Sequence, residues 1–167
     1  IDTVLDGGTS FAIGDREVEV ISTPGHTLAM LNYYLPAEKL VFTGDTLFAM
    51  GCGRLFEGDA PMMWDSLCKL MALADDTVVY CGHEYTAANA RFALSVDPAN
   101  TALQRRAAAV DELRSIGQPT VPTMIALEKA TNPFLRAGDA GLRAHLGMEG
   151  ASDAEVFAEV RRRKDNF

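Results

Sequence analysis

Three times in the first half of this chain a short run of β-branched and aromatic residues breaks at a glycine, and a side chain able to bind metal follows. Leu40-Val41-Phe42-Thr43 ends at Gly44 and delivers Asp45; Val18 to Thr23 runs into Pro24-Gly25-His26; Val78 to Cys81 runs into Gly82-His83. Such runs read as buried strands, and the glycine lets the backbone turn out of the ladder. A chain that repeats this device is constrained to a sheet whose strand ends present polar groups. Two of its three histidines are placed this way.

The intervening segments fit a meander. Phe11 to Ile13, a Gly14-Asp15 link and Arg16 to Ile21 predict a tight hairpin, with Val18 and Val20 alternating with Glu17 and Glu19. Leu31 to Leu35 and Lys39 to Thr43 predict two more strands joined by Pro36-Ala37-Glu38. Pro61 to Ala74 predicts a helix with Met63, Leu67, Leu70, Met71 and Ala74 on one face, and Thr77 to Cys81 returns as a strand.

After His83 the pattern becomes helical. Helices are expected over Thr86–Leu94, stopped by Asp97-Pro98, and over Thr101–Ile116, capped by Thr101 and Gln104, striped by Leu103, Ala107, Val110 and Leu113, and stopped at Gly117. A rigid Pro119–Pro122 link precedes a short helix over Met124–Ala130. Ser152 and Glu155 form a capping box for a last helix carrying Val156, Phe157 and Val160.

The chain has 48% hydrophobic residues, enough for a core, and a net charge of −8. That charge argues against a nucleic-acid partner or an anionic membrane surface, whose fields would repel it. Cys52, Cys68 and Cys81 form no C-x-x-C pair, so neither a disulfide framework nor a cysteine zinc site is expected, and a reducing cytoplasm is the default. No membrane span or signal segment is visible. The opening Ile1-Asp2-Thr3, with no initiator methionine, suggests the later part of a longer polypeptide.

Imidazole and carboxylate together suit zinc, iron or manganese. Any one of His26, Asp45 and His83 alone is most simply a turn cap, and their spacings of 19 and 38 residues match no compact metal motif. Three in the same local setting weigh against that reading. Cys81 reads as a small packed residue, not a nucleophile; His145 has no partner motif; Trp64 and the methionines at 62, 63 and 71 read as helix packing.

The surrounding words are more specific. Thr23-Pro24-Gly25-His26-Thr27, Thr43-Gly44-Asp45-Thr46-Leu47-Phe48, Gly51-Cys52-Gly53-Arg54 and Tyr80-Cys81-Gly82-His83-Glu84-Tyr85-Thr86 resemble, in order, the later part of glyoxalase II (hydroxyacylglutathione hydrolase) of the metallo-β-lactamase fold. The resemblance continues through Pro119-Thr120-Val121-Pro122, Asn132-Pro133-Phe134 and the closing Arg161–Phe167. It implies an α/β (α+β) fold: the C-terminal part of an αββα sandwich over residues 1–85, then a helical glutathione-binding domain over 86–167.

By the same resemblance, His26 is a ligand of a first metal, Asp45 a carboxylate bridging two metals, and His83 a ligand of the second, with two divalent ions, zinc by preference. A hydroxide held between them, and no side chain, would attack the thioester of S-2-hydroxyacylglutathione. Arg54, Tyr85, Arg161 and Lys164 fall where the family binds the glutathione moiety. Phe56 stands where many relatives have tyrosine, so one hydrogen bond to substrate is expected to be lost. Without the tail word, Arg161 to Lys164 would read as a basic helix end offsetting the macrodipole.

One departure is large. The family's T-H-x-H-x-D-H motif, which supplies the other metal ligands, is absent, because the chain has no H-x-H anywhere. The sheet that pairs with these strands is expected to be absent with it, leaving one sheet face too apolar for solvent. Two other readings stand beside thioester hydrolysis: a truncated, non-catalytic relative, and a persulfide dioxygenase of the same fold, against which the helical tail argues. The full-length protein is expected to be a monomer.

Overall fold

The structure, a computed structural model, describes residues 3–167. The predicted hairpin forms as β1 (Ser10–Ile13) and β2 (Arg16–Ser22), followed by β3 (Leu31–Leu35) and β4 (Leu40–Gly44). These four pair antiparallel in sequence order. The chain then makes a small separate hairpin, β5 (Leu47–Phe48) and β6 (Gly51–Cys52), and helix α1 (Ala60–Met71), and returns as β7 (Val78–Cys81), parallel to β4. This crossover sets the ends of β4 and β7 side by side, so the groups that follow Gly44 and Gly82 emerge together.

Helices α2 (Thr86–Val96), α3 (Thr101–Ser115), α4 (Ile125–Thr131), α5 (Ala140–Leu146) and α6 (Asp153–Asp165) make up the second half. Within them Thr123–Met124 forms β8, which adds to β7 and completes a six-stranded sheet in the order β1-β2-β3-β4-β7-β8. The core joins both halves. Val41 and Val79 from one sheet face, Met63, Leu67 and Leu70 from α1, and Phe134, Val156, Phe157 and Val160 from the helical half pack as one cluster. A smaller cluster sets Met50 against Ala90, Ala93, Leu103, Ala107 and Val110.

The opposite sheet face differs. Phe42 pairs in register with Tyr80, and Met124 with Val78, so Phe42, Tyr80 and Met124 share the face away from Val41 and Val79. Each is more than 40% exposed, and the Phe42 and Tyr80 rings stack 5.4 Å apart. This is the apolar, solvent-facing surface expected for a sheet without its partner.

Several local expectations are corrected. Helix α3 is capped by Asn100, whose Oδ1 accepts from the Ala102 and Leu103 amides, while the Gln104 amide donates to the Pro98 carbonyl, so Thr101 and Gln104 form no box. The shorter asparagine reaches both free amides from one position earlier. Leu113 is 38% exposed and leaves the α3 stripe, and Ala74 lies beyond the end of α1. Helix α4 starts one residue late because Met124 is spent on β8. Helix α5, not anticipated from the sequence, has a start signal in the Asp139 N-cap and a stop signal in the left-handed Gly147. The Ser152–Glu155 capping box on α6 is present as read.

Candidate functional site

Asp45 stands on a turn built from threonine and asparagine side chains. Gly44 takes φ 47°, which a side chain would resist. The Thr43 hydroxyl then donates to the Leu47 carbonyl (2.8 Å), the Thr46 and Thr23 hydroxyls bond each other (3.0 Å), and buried Asn32 donates to the Thr43 carbonyl (3.1 Å). The Gly82 amide donates to the Gly44 carbonyl (2.8 Å), tying the β7 exit to the β4 exit. Close approach requires glycine twice: a Cβ at Gly53 would stand 2.0 Å from the Asp45 carbonyl oxygen, and one at Gly82 2.9 Å from Asp45 Oδ1.

The three strand-end groups meet here. Asp45 Oδ1 lies 2.7 Å from His83 Nδ1, and Asp45 Oδ2 lies 3.6 Å from His26 Nε2. His26 Nδ1 is 2.9 Å from the Arg54 carbonyl, a group that can only accept. The proton therefore belongs on Nδ1, which leaves the Nε2 lone pair facing Asp45, the orientation a metal-binding histidine takes from its outer partner.

Two donors on one tetrahedral zinc, each about 2.0–2.1 Å from it, stand roughly 3.3 Å apart. The His26–Asp45 separation is close to that, whereas the His83–Asp45 contact is a hydrogen bond. Among the described residues, no group of three or more histidine, cysteine, aspartate or glutamate side chains is disposed to hold a metal ion. His26, Asp45 and His83 thus fit as part of a metal centre and do not complete one.

Around them lies a cleft of about 520 Å³, and all eight residues singled out from the sequence line it. Arg54 is largely exposed there, its nearest carboxylate Asp165 4.0 Å away. Tyr85 stacks on His83 with ring centroids 5.2 Å apart and meets Phe48 edge-on; Phe56, 69% exposed, tilts against His26. Lys164 sits over the Phe92 and Phe167 rings. Burial, then the charges of Arg161, Arg91 and Arg54, hold its pKa below the ordinary lysine value. In a chain of net charge −8, this cluster gives the cleft a local concentration of cations.

Arg161 is placed differently from its neighbours. It is 5% exposed, donates to the Cys52 carbonyl (3.1 Å) and to Asp165 Oδ1 (2.8 and 3.1 Å), and stacks over Phe134. Most of its donors are satisfied within the protein, so it braces the cleft wall more than it faces the opening. Phe48, Cys52 and Asn89 also line the cleft. Phe48 and Cys52 stand inside the words quoted above, but nothing in their residue type marked them. Burial pushes the Cys52 thiol up to about 11, despite the opposing pull of Arg161, so it is no nucleophile at neutral pH. Cys81 is half-buried, with its thiol donating to the His83 carbonyl (3.2 Å).

Residues 84–167 match the family described as the hydroxyacylglutathione hydrolase C-terminus, and residues 1–83 match the metallo-beta-lactamase superfamily. The hydroxyacylglutathione hydrolase of Rhizobium meliloti (strain 1021) is 61% identical over 167 residues, covering 100% of this chain and 65% of its own. That of Mesorhizobium japonicum is 59% identical, covering 100% and 66%. The solved structure of ETHE1 from Myxococcus xanthus is 28% identical with a TM-score of 0.60, covering 95% of this chain and 50% of that one. The chain therefore spans about 65% of the length of these curated relatives. The sheet that carries the strand-end histidines and aspartate and the helical half that walls their cleft both match one family: the chain is a member of the hydroxyacylglutathione hydrolases, comprising a portion of the metallo-β-lactamase fold and the family's C-terminal helical region.

Proposed function

We propose that this chain, within the complete protein, hydrolyses S-2-hydroxyacylglutathione thioesters such as S-D-lactoylglutathione to glutathione and a 2-hydroxy acid, the step that completes methylglyoxal detoxification. The observation that carries this reading is the convergence of His26, Asp45 and His83 in a cleft that Arg54 and Lys164 also line. A thioester with an anionic tail can lie across both groups. Two divalent ions, zinc by preference, held by these three side chains with further ligands from outside this chain, would supply Lewis acidity and lower the pKa of water.

The chain's own residues bind and orient. Arg54 and Lys164 face the glutathione carboxylates as charge-assisted donors, with Arg161 bracing the wall beside them. The Tyr85 hydroxyl is a further donor to the peptide, and Phe56 offers only its ring, so that position contributes packing. In the reaction, a water oxygen bonds to the thioester carbonyl carbon, the C–S bond breaks, and the sulfur leaves as a thiolate. A thiol of pKa about 8.5 leaves without a strong general acid, so the reaction asks for none at that sulfur.

The helical half supports thioester hydrolysis over persulfide oxidation, since it matches the hydrolase's own C-terminal region. The same reading divides the chain near residues 85–86 into a sheet-bearing part and a helical glutathione-binding part, and puts the complete protein in the cytoplasm as a monomer. Three free cysteines support the reducing compartment, and no helix among the described residues is long and apolar enough to cross a membrane.

The test uses the full-length protein. Asp45→Ala should lose bound metal and turnover together. Arg54→Ala and Lys164→Ala should keep the metal and raise KM, lowering kcat/KM roughly tenfold to hundredfold, the usual loss for one charged contact to a remote part of the substrate. Metal analysis beside steady-state hydrolysis of S-D-lactoylglutathione decides it. An Asp45→Ala protein with full metal and full turnover would sink the reading.

A further inference from the structure

The Asn132-Pro133-Phe134 word and the buried charges of α3 and α4 have no part in the chemistry above. They answer a different problem. The β5–β6 hairpin belongs to no larger sheet, yet Leu47, Phe48, Ala49, Met50 and Cys52 are all buried. Its backbone groups must find partners in the protein, because a buried amide or carbonyl left bare is costly.

Helical side chains supply them. Asn132 donates to the Phe48 (3.3 Å) and Gly51 (3.0 Å) carbonyls, Asn89 to the Ala49 carbonyl (3.0 Å), and Glu128 Oε2 accepts from the Met50 amide (2.8 Å). Glu128 is itself fully buried. Its Oε1 accepts from Arg106 Nη2 and the Thr123 hydroxyl, each at 2.6 Å, and its Oε2 also accepts from Asn132 (2.9 Å). Met50 sits at φ 55°, a conformation a non-glycine residue keeps only when its surroundings impose it.

The hairpin's two ends are cleft wall. Phe48 enters it before the turn and Cys52-Gly53-Arg54 after it, and the Arg54 carbonyl sets the His26 tautomer. We propose that Glu128 and Asn132 are positioning residues: they hold the Leu47–Cys52 hairpin in register, and through it fix Arg54 and His26. The consequence for affinity rests on the reading that this cleft takes glutathione thioesters; the consequence for His26 does not.

The experiment compares the parent chain with Glu128→Gln, which keeps the side-chain shape but removes the charge facing Arg106 and one of the acceptors. Asn132→Ala is the second variant, needed where the buried Arg106 left without its partner prevents folding. Three quantities are read: amide hydrogen exchange at Met50 relative to Val79 in the central sheet, the ring ¹⁵N shifts of His26, and glutathione affinity by calorimetry. The ratio of Met50 to Val79 exchange should rise roughly tenfold to hundredfold, as for loss of a charge-assisted hydrogen bond, and glutathione should bind about tenfold more weakly. His26 should pass from one fixed tautomer to a mixture, which a simple loss of global stability would not produce. A folded variant with Met50 loosened but the parent's tautomer and affinity overturns the proposal, as does one with unchanged Met50 exchange. A parent chain that binds no glutathione refutes the substrate reading instead, and exchange and tautomer still decide this one.

Discussion

Gly53→Ala isolates the contact on which the cleft geometry depends. Neither Gly53 nor Gly82 has a left-handed φ, so alanine adds no backbone strain at either, and the effect is steric. At Gly53 the new Cβ would lie 2.0 Å from the Asp45 carbonyl oxygen and 3.2 Å from His26 Cβ, well inside the roughly 3.5 Å of ordinary non-bonded contact. The closer obstacle is backbone, held by the Gly53 amide bond to the Thr46 carbonyl (3.2 Å), so relief requires moving the 45–53 hairpin by more than about 1 Å. Overpacking of this kind costs about 1–3 kcal/mol, and Gly53 belongs at the upper end because no flexible side chain can yield. For a domain of this size that lowers Tm by about 6–12 °C. Gly82→Ala is the contrast: its Cβ would meet Asp45 Oδ1 at 2.9 Å and the Gly44 carbonyl at 3.2 Å. The carboxylate can swing away, so about 1 kcal/mol is expected, with the loss falling on the His83–Asp45 hydrogen bond. Thermal unfolding of both variants beside glutathione affinity tests the ordering. A Gly53→Ala protein melting within a degree of the parent, or less damaged than Gly82→Ala, refutes the steric argument.

Arg161→Ala should destabilise the fold by about 1.5–3 kcal/mol as well as weaken glutathione, because it strips the Cys52 carbonyl and Asp165 of their partner, whereas Arg54→Ala should leave Tm unchanged; chemical denaturation separates them. Lys164 has a folded pKa below its ordinary 10.5, so the folded state binds fewer protons than the unfolded one between those two values. Its contribution to stability therefore rises as pH climbs through that window, while its attraction for glutathione fades there; Lys164→Met should flatten both trends in melts and calorimetry run against pH. The bare aromatic sheet face predicts that the 167-residue chain alone self-associates, and that Phe42→Ser with Tyr80→Ser shifts it toward monomer in sedimentation equilibrium; a parent chain monomeric at high concentration would contradict this.

The strand-end glycines, the hairpin, the meander, α1 and the α6 capping box were legible because each rests on a signal carried within a few residues: alternation, a turn dipeptide, a cap at fixed spacing. Eight of the cleft residues were legible too, through words met in family order, which is how His26 and Lys164, 138 positions apart, could be named together, whereas Phe48, Cys52 and Asn89 were not singled out. What the sequence could not supply was the division of labour. Arg54 and Arg161 are the same residue type in comparable words, but one is largely exposed in the cleft with Asp165 4.0 Å away, and the other is committed to Cys52 and Asp165, a distinction set by the chain folding back across the 109 positions that separate Cys52 from Arg161. Two-residue strands such as β5, β6 and β8 are too short for any periodicity to register. Nothing in the sequence singled out Glu128; only the packing of α4 against the β5–β6 turn made it the buried acceptor of four hydrogen bonds. Local signals survive in sequence because their partners are neighbours, whereas a buried polar group takes its meaning from distant partners that come within 3 Å only in the folded chain.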